Sequence, residues 1–327
     1  MLQGKDLIIA TKPFGKEKRF LSIYYTYSSL LLLVGSLISA AIAPWLIVRM
    51  LSSIFAGFVF IRVFVIYHDY QHKAILQKDI FSKFIMYIYG LYSLAPASIW
   101  KRSHDYHHKH NSKLFSASIG SYPIMTKQKF LNSSPKERRE YLISRHPITI
   151  MLGFFSMFLI GMCYNSFTSN PRKHFDSLIA LVLHVGVAVL LVVYFGWLTW
   201  FLVWFLPFLI AHAIGAYLFY AQHNFPNVTF RDNTEWAYET AALASSSFMK
   251  MNRFMRWSTA NIGFHHVHHL NSRIPFYRLP EAMAGLPELQ HPKTTSFKVK
   301  DIIACFKLKL WDPEKQQMIG LDGLQIA

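Results

Sequence analysis

Sixteen histidines stand in this chain of 327 residues, and most of them fall in three short clusters. The first is His68-Asp-Tyr-Gln-His72. The second is His104-Asp-Tyr-His107-His108-Lys-His110. The third is His265-His266-Val-His268-His269. On a helix, positions i, i+3 and i+4 share one face, with Cβ atoms about 5–6 Å apart. His68 and His72, then His104, His107 and His108, then His265, His268 and His269, can each turn two or three imidazoles toward one point. An isolated His223 in Ala221-Gln-His-Asn-Phe can add a ninth ring. Neutral imidazole is the commonest biological ligand of iron, zinc, copper and nickel. Eight rings exceed the coordination shell of one ion, so two metals are the simplest count. Structural zinc takes four ligands, often cysteines. An all-imidazole pair of sites beside a membrane suits redox iron instead.

Asp69 and Asp105 each follow the first histidine of a cluster. A carboxylate there can accept the free imidazole N–H and fix the ring; the competing reading is a solvated aspartate. His110 and His266 fall off the shared faces and are expected behind the ligands or toward solvent. His146, His174, His184, His212 and His291 stand alone and read as ordinary polar residues. Cys163 and Cys305 cannot build a disulfide framework or hold an iron–sulfur cluster.

The elements that must position these rings are apolar. Hydrophobic residues make up 53% of the chain and charged residues 16%, against roughly 25% charged in an average soluble domain. Disordered, collagen-like and disulfide-scaffold classes are excluded. Four segments reach the roughly 20 apolar residues that a spanning helix needs: 21–43, 44–67, 175–195 and 197–220. They meet in pairs near Pro44 and Gly196, which makes two tight hairpins. A fifth apolar stretch, 146–164, is expected to be in-plane or re-entrant, because a fifth crossing would put His72 and His223 on opposite sides. The expected fold is a single all-α membrane domain over 1–327. Four transmembrane helices carry a cytosolic helical cap, 68–145 and 221–327, which holds a di-metal site. Arg49 and Arg62 fall inside the second span and need partners there.

The formal net charge is +17. In so apolar a chain, this points to a membrane surface or an acidic partner before nucleic acid. The N-terminal segment, residues 73–145 and Arg172/Lys173 are rich in cations, and the hairpin tips are poor. By the positive-inside rule both termini and the metal site face the cytosol, under a bacterial inner membrane or a eukaryotic endomembrane alike. The first twenty residues lack the apolar core of a signal peptide.

The clusters HDYQH, HDYHH and HHVHH, at these separations and after these spans, resemble the three histidine boxes of membrane fatty acid desaturases. Trp100-Lys-Arg-Ser-His is similar to the family's approach to the second box. Gln222-His223, followed by Asp232-Asn-Thr-Glu235-Trp236, is similar to a stretch of the acyl-lipid Δ12/ω-type branch, as is Asn261-Ile-Gly-Phe ahead of the third box. The resemblance covers about residues 20–285. It implies a di-iron enzyme with O2 as co-substrate that removes two hydrogens from an unactivated acyl chain. The metal ligands carried over by position are His68, His72, His104, His107, His108, His223, His265, His268 and His269, with no further catalytic residue.

The resemblance implies a long-chain acyl lipid as substrate, in an apolar tunnel where each buried methylene contributes about 0.8 kcal/mol. It also implies a separate electron donor of ferredoxin or cytochrome b5 type. Nine basic residues at 101, 102, 109, 113, 127, 129, 136, 138 and 139 face only Asp105 and Glu137. They form either a positive-inside loop or a dock for lipid phosphates or an acidic carrier. A lipid or carotenoid hydroxylase or ketolase of the same superfamily would share these ligands. A non-enzymatic metal-binding or transport protein would instead place ionisable residues midway through its spans. A bis-histidine haem carrier would need far fewer histidines.

Overall fold

A computed structural model describes residues 2–114, 116, 122–232 and 234–324. Two long helices, Arg19–Ile42 and Leu46–Gln71, form the first hairpin. Ala43 adopts ψ 142° ahead of Pro44, the extended form forced on a residue before proline, which ends the helix. Arg49 braces this tip. Its Nε donates to Ala40 O at 2.8 Å, one of the carbonyls a helix end leaves unpaired, and its Nη2 donates to Thr199 Oγ1 at 3.1 Å. The second helix runs on to Gln71, past the expected limit at 67, so the first histidine cluster stands on rigid helix.

Residues Phe175–Ala221 form one helical run of 47 residues, about 70 Å if straight. The run is folded back at Gly196, whose φ of 80° and ψ of 167° suit glycine alone. As a result the rings of His184 and Trp204 lie 4.0 Å apart, where a straight helix would separate them by about 30 Å. Three helices among the described residues are therefore long and apolar enough to cross a bilayer: Arg19–Ile42, Leu46–Gln71 and Phe175–Ala221. Their outer faces are bare. Leu31, Val34, Ile38 and Ile42 on the first, and Val182, Val185, Val189 and Val193 on the third, are each more than half exposed. A continuous apolar face of this extent is foreign to a soluble monomer.

The fifth apolar stretch forms a short helix, Pro147–Met151, then a wide π-helical run, Phe154–Tyr164, then Asn165–Ser169. One face of it, with Ile150, Phe154, Phe158 and Met162, is buried against the long helices, while Ile148, Ile160 and Tyr164 are exposed. Gly153 lies against Ala216 and the His212 carbonyl, and Phe154 and Phe158 pack 5.6 Å and 4.3 Å from the His212 ring. Both flanks of the stretch join the cap. Before it, the Tyr141 hydroxyl donates to Lys309 O. After it, His174 meets Ser98 and Arg102.

Two details differ from the sequence reading. The segment 68–145 contains an apolar helix, Ile80–Tyr92, whose Ile80, Phe81 and Phe84 are largely exposed while Tyr89 Oη donates inward to Phe60 O at 2.8 Å. Its bare face matches those of the long helices. Among the described residues, the dominantly helical chain also holds four short strands. Phe248–Lys250 pairs parallel with Thr294–Ser296, and Leu310–Asp312 pairs antiparallel with Gln317–Ile319.

The two arginines expected inside the second span, and to need partners there, have them. Arg62 donates to Ser29 Oγ at 2.9 Å and to the Trp257 carbonyl. Its guanidinium lies 4.9 Å from the Trp257 ring and 5.7 Å from that of Tyr25, a desolvated cation–π setting.

Candidate metal centre

Three helices and one loop bring imidazoles together. The Leu46–Gln71 helix ends with His68 and His72 one turn apart, their Nε2 atoms separated by 3.2 Å. Buried Asp69 orients the first ring: one oxygen accepts from His68 Nδ1 at 3.1 Å, the other from the Phe276 backbone N–H at 2.6 Å. Asp105, by contrast, is half-exposed and pairs with Lys101, so the solvated reading applies to it.

The second cluster rides on the helix Ala97–Lys109. Its N-terminal groups are capped from another element. Asp176, at the start of the third long helix, accepts from Ser98 N at 3.0 Å and from Ser98 Oγ at 2.5 Å, a role usually filled by a side chain of the helix itself. Trp100 then stacks on His104, with ring centroids 5.0 Å apart and an 11° tilt. The third cluster forms the short helix His265–Leu270. Gln222 Nε2 donates to Ile262 O at 2.9 Å just before it, and Tyr238 Oη donates to His269 O at 2.6 Å. His223 donates from Nδ1 to Ser245 O at 3.0 Å, which turns its Nε2 inward.

The nine rings form two groups. One contains His68, His72, His104, His108 and His268, and the other contains His107, His223, His265 and His269; within each, the nitrogens lie within 4.8 Å of one another. This division corrects the expectation that each cluster aims at a single point. A residue four positions on returns to within about 40° of the first, while one three positions on falls about 60° to the other side. The i, i+4 pairs His104/His108 and His265/His269 each stay together, and the i+3 members His107 and His268 cross to the opposite group. The Ala97–Lys109 and His265–Leu270 helices therefore each serve both groups, while His68 and His72 stay together in one.

The donor set fits two cations. Neighbouring Nε2 atoms are 2.9–3.2 Å apart. Nitrogens about 2.1 Å from one metal and at right angles to each other would be about 3.0 Å apart, and opposed ones about 4.2 Å. All nine rings are largely removed from solvent. Burial, reinforced by the neighbouring imidazoles, holds His72, His104, His107, His108, His265, His268 and His269 well below the ordinary histidine range. Burial likewise pushes His223 down to about 4. These rings are neutral at physiological pH. With Nδ1 of His68 and His223 spent on protein acceptors, their Nε2 lone pairs converge on the group centres, where a cation satisfies several at once.

The remaining histidines lie outside both groups. His110 stacks on Tyr106 with centroids 4.0 Å apart, and buried His266 sets Nε2 3.2 Å from Leu289 O. His146 caps the Pro147–Met151 helix, His174 joins Ser98 to Arg102, and His291 is exposed. His184 and His212 are packed among aromatic rings between the long helices.

Asp176, Ser245 and Tyr238 support the centre without any local spacing that marks them in the sequence. Trp236 does so from the Asp232–Trp236 segment: its Nε1 donates to Asn111 O at 2.8 Å, while Asp232 closes a turn onto the N–H groups of Thr234 and Glu235. A small apolar cavity of about 30 Å³, walled by Ile61, Phe64, Val65, Leu218, Phe219 and Ile262, also has His68, His104 and His265 on its lining, and so touches both groups.

Comparison with known proteins agrees with this geometry. The family model described as fatty acid desaturase matches residues 12–298. The chain is 30% identical over 282 residues to a fatty acid desaturase of Bacillus subtilis, covering 86% of this chain and 79% of that one. It is 24% identical to a chloroplastic omega-6 fatty acid desaturase of Spinacia oleracea, over 75% of this chain and 55% of that one. It is also 24% identical to an sn-1 oleoyl-lipid 12-desaturase of Anabaena variabilis, over 76% and 71% of the two chains. The matched span takes in both hairpins and every ring of the two groups, and the chain therefore belongs to the fatty acid desaturase family of oxidoreductases.

Proposed function

We propose that the chain is an O2-dependent di-iron desaturase that introduces a double bond into a long acyl chain of a membrane lipid, with Δ12/ω-type placement. The observation that carries this reading is the convergence of nine imidazoles into two groups, with an apolar cavity touching both, in a chain of the fatty acid desaturase family. The regiochemistry follows that of the omega-6 desaturase of Spinacia oleracea and the 12-desaturase of Anabaena variabilis.

Bound iron would supply the redox capacity that breaking unactivated C–H bonds demands. The chain's own residues do the rest. His68, His72, His104, His108 and His268 would hold one ion, and His107, His223, His265 and His269 the other. Asp69 and Ser245 O keep two rings in the correct tautomer. The cavity orients the methylenes and excludes water, so the oxidising equivalents meet substrate. In the overall balance, two substrate hydrogens, two external electrons and two protons reduce one O2 to two waters.

The arrangement in the membrane is also a proposal. The turn at Gly196 divides the third apolar run into two crossings, giving four in all. The stretch 146–164 starts and finishes beside the cap, which supports an in-plane or re-entrant course and puts both groups on one side. The cationic cap then faces the cytosol. The short helices Lys127–Asn132 and Pro135–Ser144 would offer their cations to an acidic electron donor of ferredoxin or cytochrome b5 type.

The test is expression in a host with simple fatty acids, with measurement of bound iron and location of new double bonds. Two irons per chain and a new double bond are expected. His107→Ala and His268→Ala, one from each group, should lower iron and abolish product, whereas His291→Ala should do neither. An oxygenated product would assign a hydroxylase or ketolase instead. Full iron loading with a competent reductant and no new unsaturation would end the desaturase reading.

A further inference from the structure

A second recess lies beside the metal centre and takes no part in holding iron. It runs between the parallel strand pair Phe248–Lys250/Thr294–Ser296 and the start of the helix Val299–Lys307, with Lys250, Asn252, Lys298, Lys300 and Asp301 on its walls. The three lysines are exposed, and none is ion-paired among the described residues. The one carboxylate present, Asp301, accepts from Ser296 Oγ at 2.5 Å. Three ammonium groups therefore face one acid, and the recess is electropositive. No side chain caps the helix that begins there, so its first N–H groups add to the positive field.

The rim of the same recess is greasy. Val299 is 71% exposed and Ile303 49% on the helix Val299–Lys307, and Phe254 is 43% exposed on the neighbouring helix Arg253–Ser258. Phe254 packs against Phe58 of the second long helix, with ring centroids 5.0 Å apart, and Ser258 Oγ donates to Phe58 O at 2.8 Å. Exposed Arg253 and Arg256 lie on that short helix too. Cations above exposed apolar side chains, anchored on a membrane helix, are the pattern of a surface resting in lipid headgroups.

The recess also adjoins the apolar cavity. Met251 on its wall packs on Gly263, the residue after Ile262 of the cavity. Phe297 on its wall packs 5.6 Å from Tyr217, the residue before Leu218 of the cavity. Met251 and Phe297 thus stand between the cationic recess and the segments that carry Ile262 and Leu218 of the apolar cavity.

We propose that this recess binds the phosphate of a membrane glycerolipid, and so selects a phospholipid as the carrier of the acyl chain in the cavity. The recess supplies charge where a glycerolipid has its phosphate, and the cavity supplies apolar wall where it has its chain. The link to turnover rests on the desaturase reading; the binding itself does not.

The test is native mass spectrometry of the iron-loaded full chain, incubated with phosphatidylglycerol or with diacylglycerol of the same acyl composition. The wild type should retain phosphatidylglycerol in preference to diacylglycerol. Lys298→Glu/Lys300→Glu should weaken that retention at least about thirtyfold, from the loss of two surface cations. The control Lys136→Glu/Arg139→Glu, on the distant basic helix, should retain it. Iron content and melting temperature establish folding, and Lys298→Ala/Lys300→Ala replaces the charge reversal if that variant fails to fold.

Equal retention of diacylglycerol, or undiminished phosphatidylglycerol binding by the folded double variant, would overturn the proposal. Complete displacement by millimolar inorganic phosphate would reassign the recess to a free anion, and displacement by micromolar coenzyme A would reassign it to a thioester carrier. Retention is read without turnover, so a chain that binds phospholipid but makes no double bond defeats the enzymatic reading alone.

Discussion

Asp69→Asn tests how the protein prepares its ligands. The wild-type carboxylate uses its two oxygens on two donors, His68 Nδ1–H at 3.1 Å and the Phe276 N–H at 2.6 Å. An asparagine has one oxygen and one NH2 group, so one of these donors must meet a donor. If the oxygen stays with Phe276, the amide N–H faces His68 Nδ1. That ring must then move its proton to Nε2 and lose the lone pair aimed at the metal. If the amide flips, the buried Phe276 N–H goes unpaired. A hydrogen bond to a charged group contributes about 1.5–3 kcal/mol, which corresponds to about tenfold to 150-fold in an equilibrium constant. Loss of an orienting partner behind a metal ligand is typically of that size. The iron held by the His68 group should therefore fall by one to two orders of magnitude in affinity, read by chelator competition on purified protein. Asp105→Asn, at a half-exposed carboxylate paired with Lys101, should leave affinity unchanged. Wild-type iron retention by Asp69→Asn would refute the reasoning.

Gly153→Ala would set a methyl carbon 2.5 Å from Ala216 Cβ and 2.8 Å from His212 O. Overpacking of that kind costs about 1–3 kcal/mol, so the melting temperature should fall, and an unchanged melt would show that the two helices part easily. Arg278 holds Glu281 down to about 2 through paired hydrogen bonds at 2.8 and 2.9 Å. A carboxylate with a depressed folded pKa contributes fully above its ordinary value of 4.5 and loses that contribution as the pH falls toward 2. Because Glu281 is half-exposed, the contribution is at most about 1 kcal/mol; Glu281→Gln should flatten the acid limb of thermal stability slightly, and an unaltered limb would remove the pair from the account. Electron delivery by an acidic donor should slow as ionic strength rises, checked by stopped-flow reduction; a salt-independent rate would exclude docking by charge.

The histidine spacing carried most of the centre, because an i, i+3/i+4 pattern is a local property and the helices that realise it are short and direct. What spacing could not convey was the partition. His107 and His108 are adjacent in the chain yet belong to different groups, and only the angle at which the three helices meet decides which ring turns which way. Asp69 and Asp105 present the same local signal beside a histidine. They differ because Phe276 comes back to the first and solvent reaches the second, a fact of tertiary packing. Asp176, which caps the Ala97–Lys109 helix, gives no local sign of that role. The hairpins were legible from hydropathy and from Pro44 and Gly196. The apolar helix Ile80–Tyr92 was hidden within a polar stretch, since its buried face carries Ser82, Met86 and Tyr89 rather than an unbroken run.

The division of ligands also sets an order of events during synthesis. A ribosome working at about 5–20 residues per second releases His68 some ten to forty seconds before His269. Until His265–Leu270 emerges, one group lacks His268 and the other lacks both His265 and His269. An ion captured by the nascent chain would sit on a partial shell and exchange freely. If each group holds an ion as proposed, neither shell can close until the third cluster has been made and has folded against the other two.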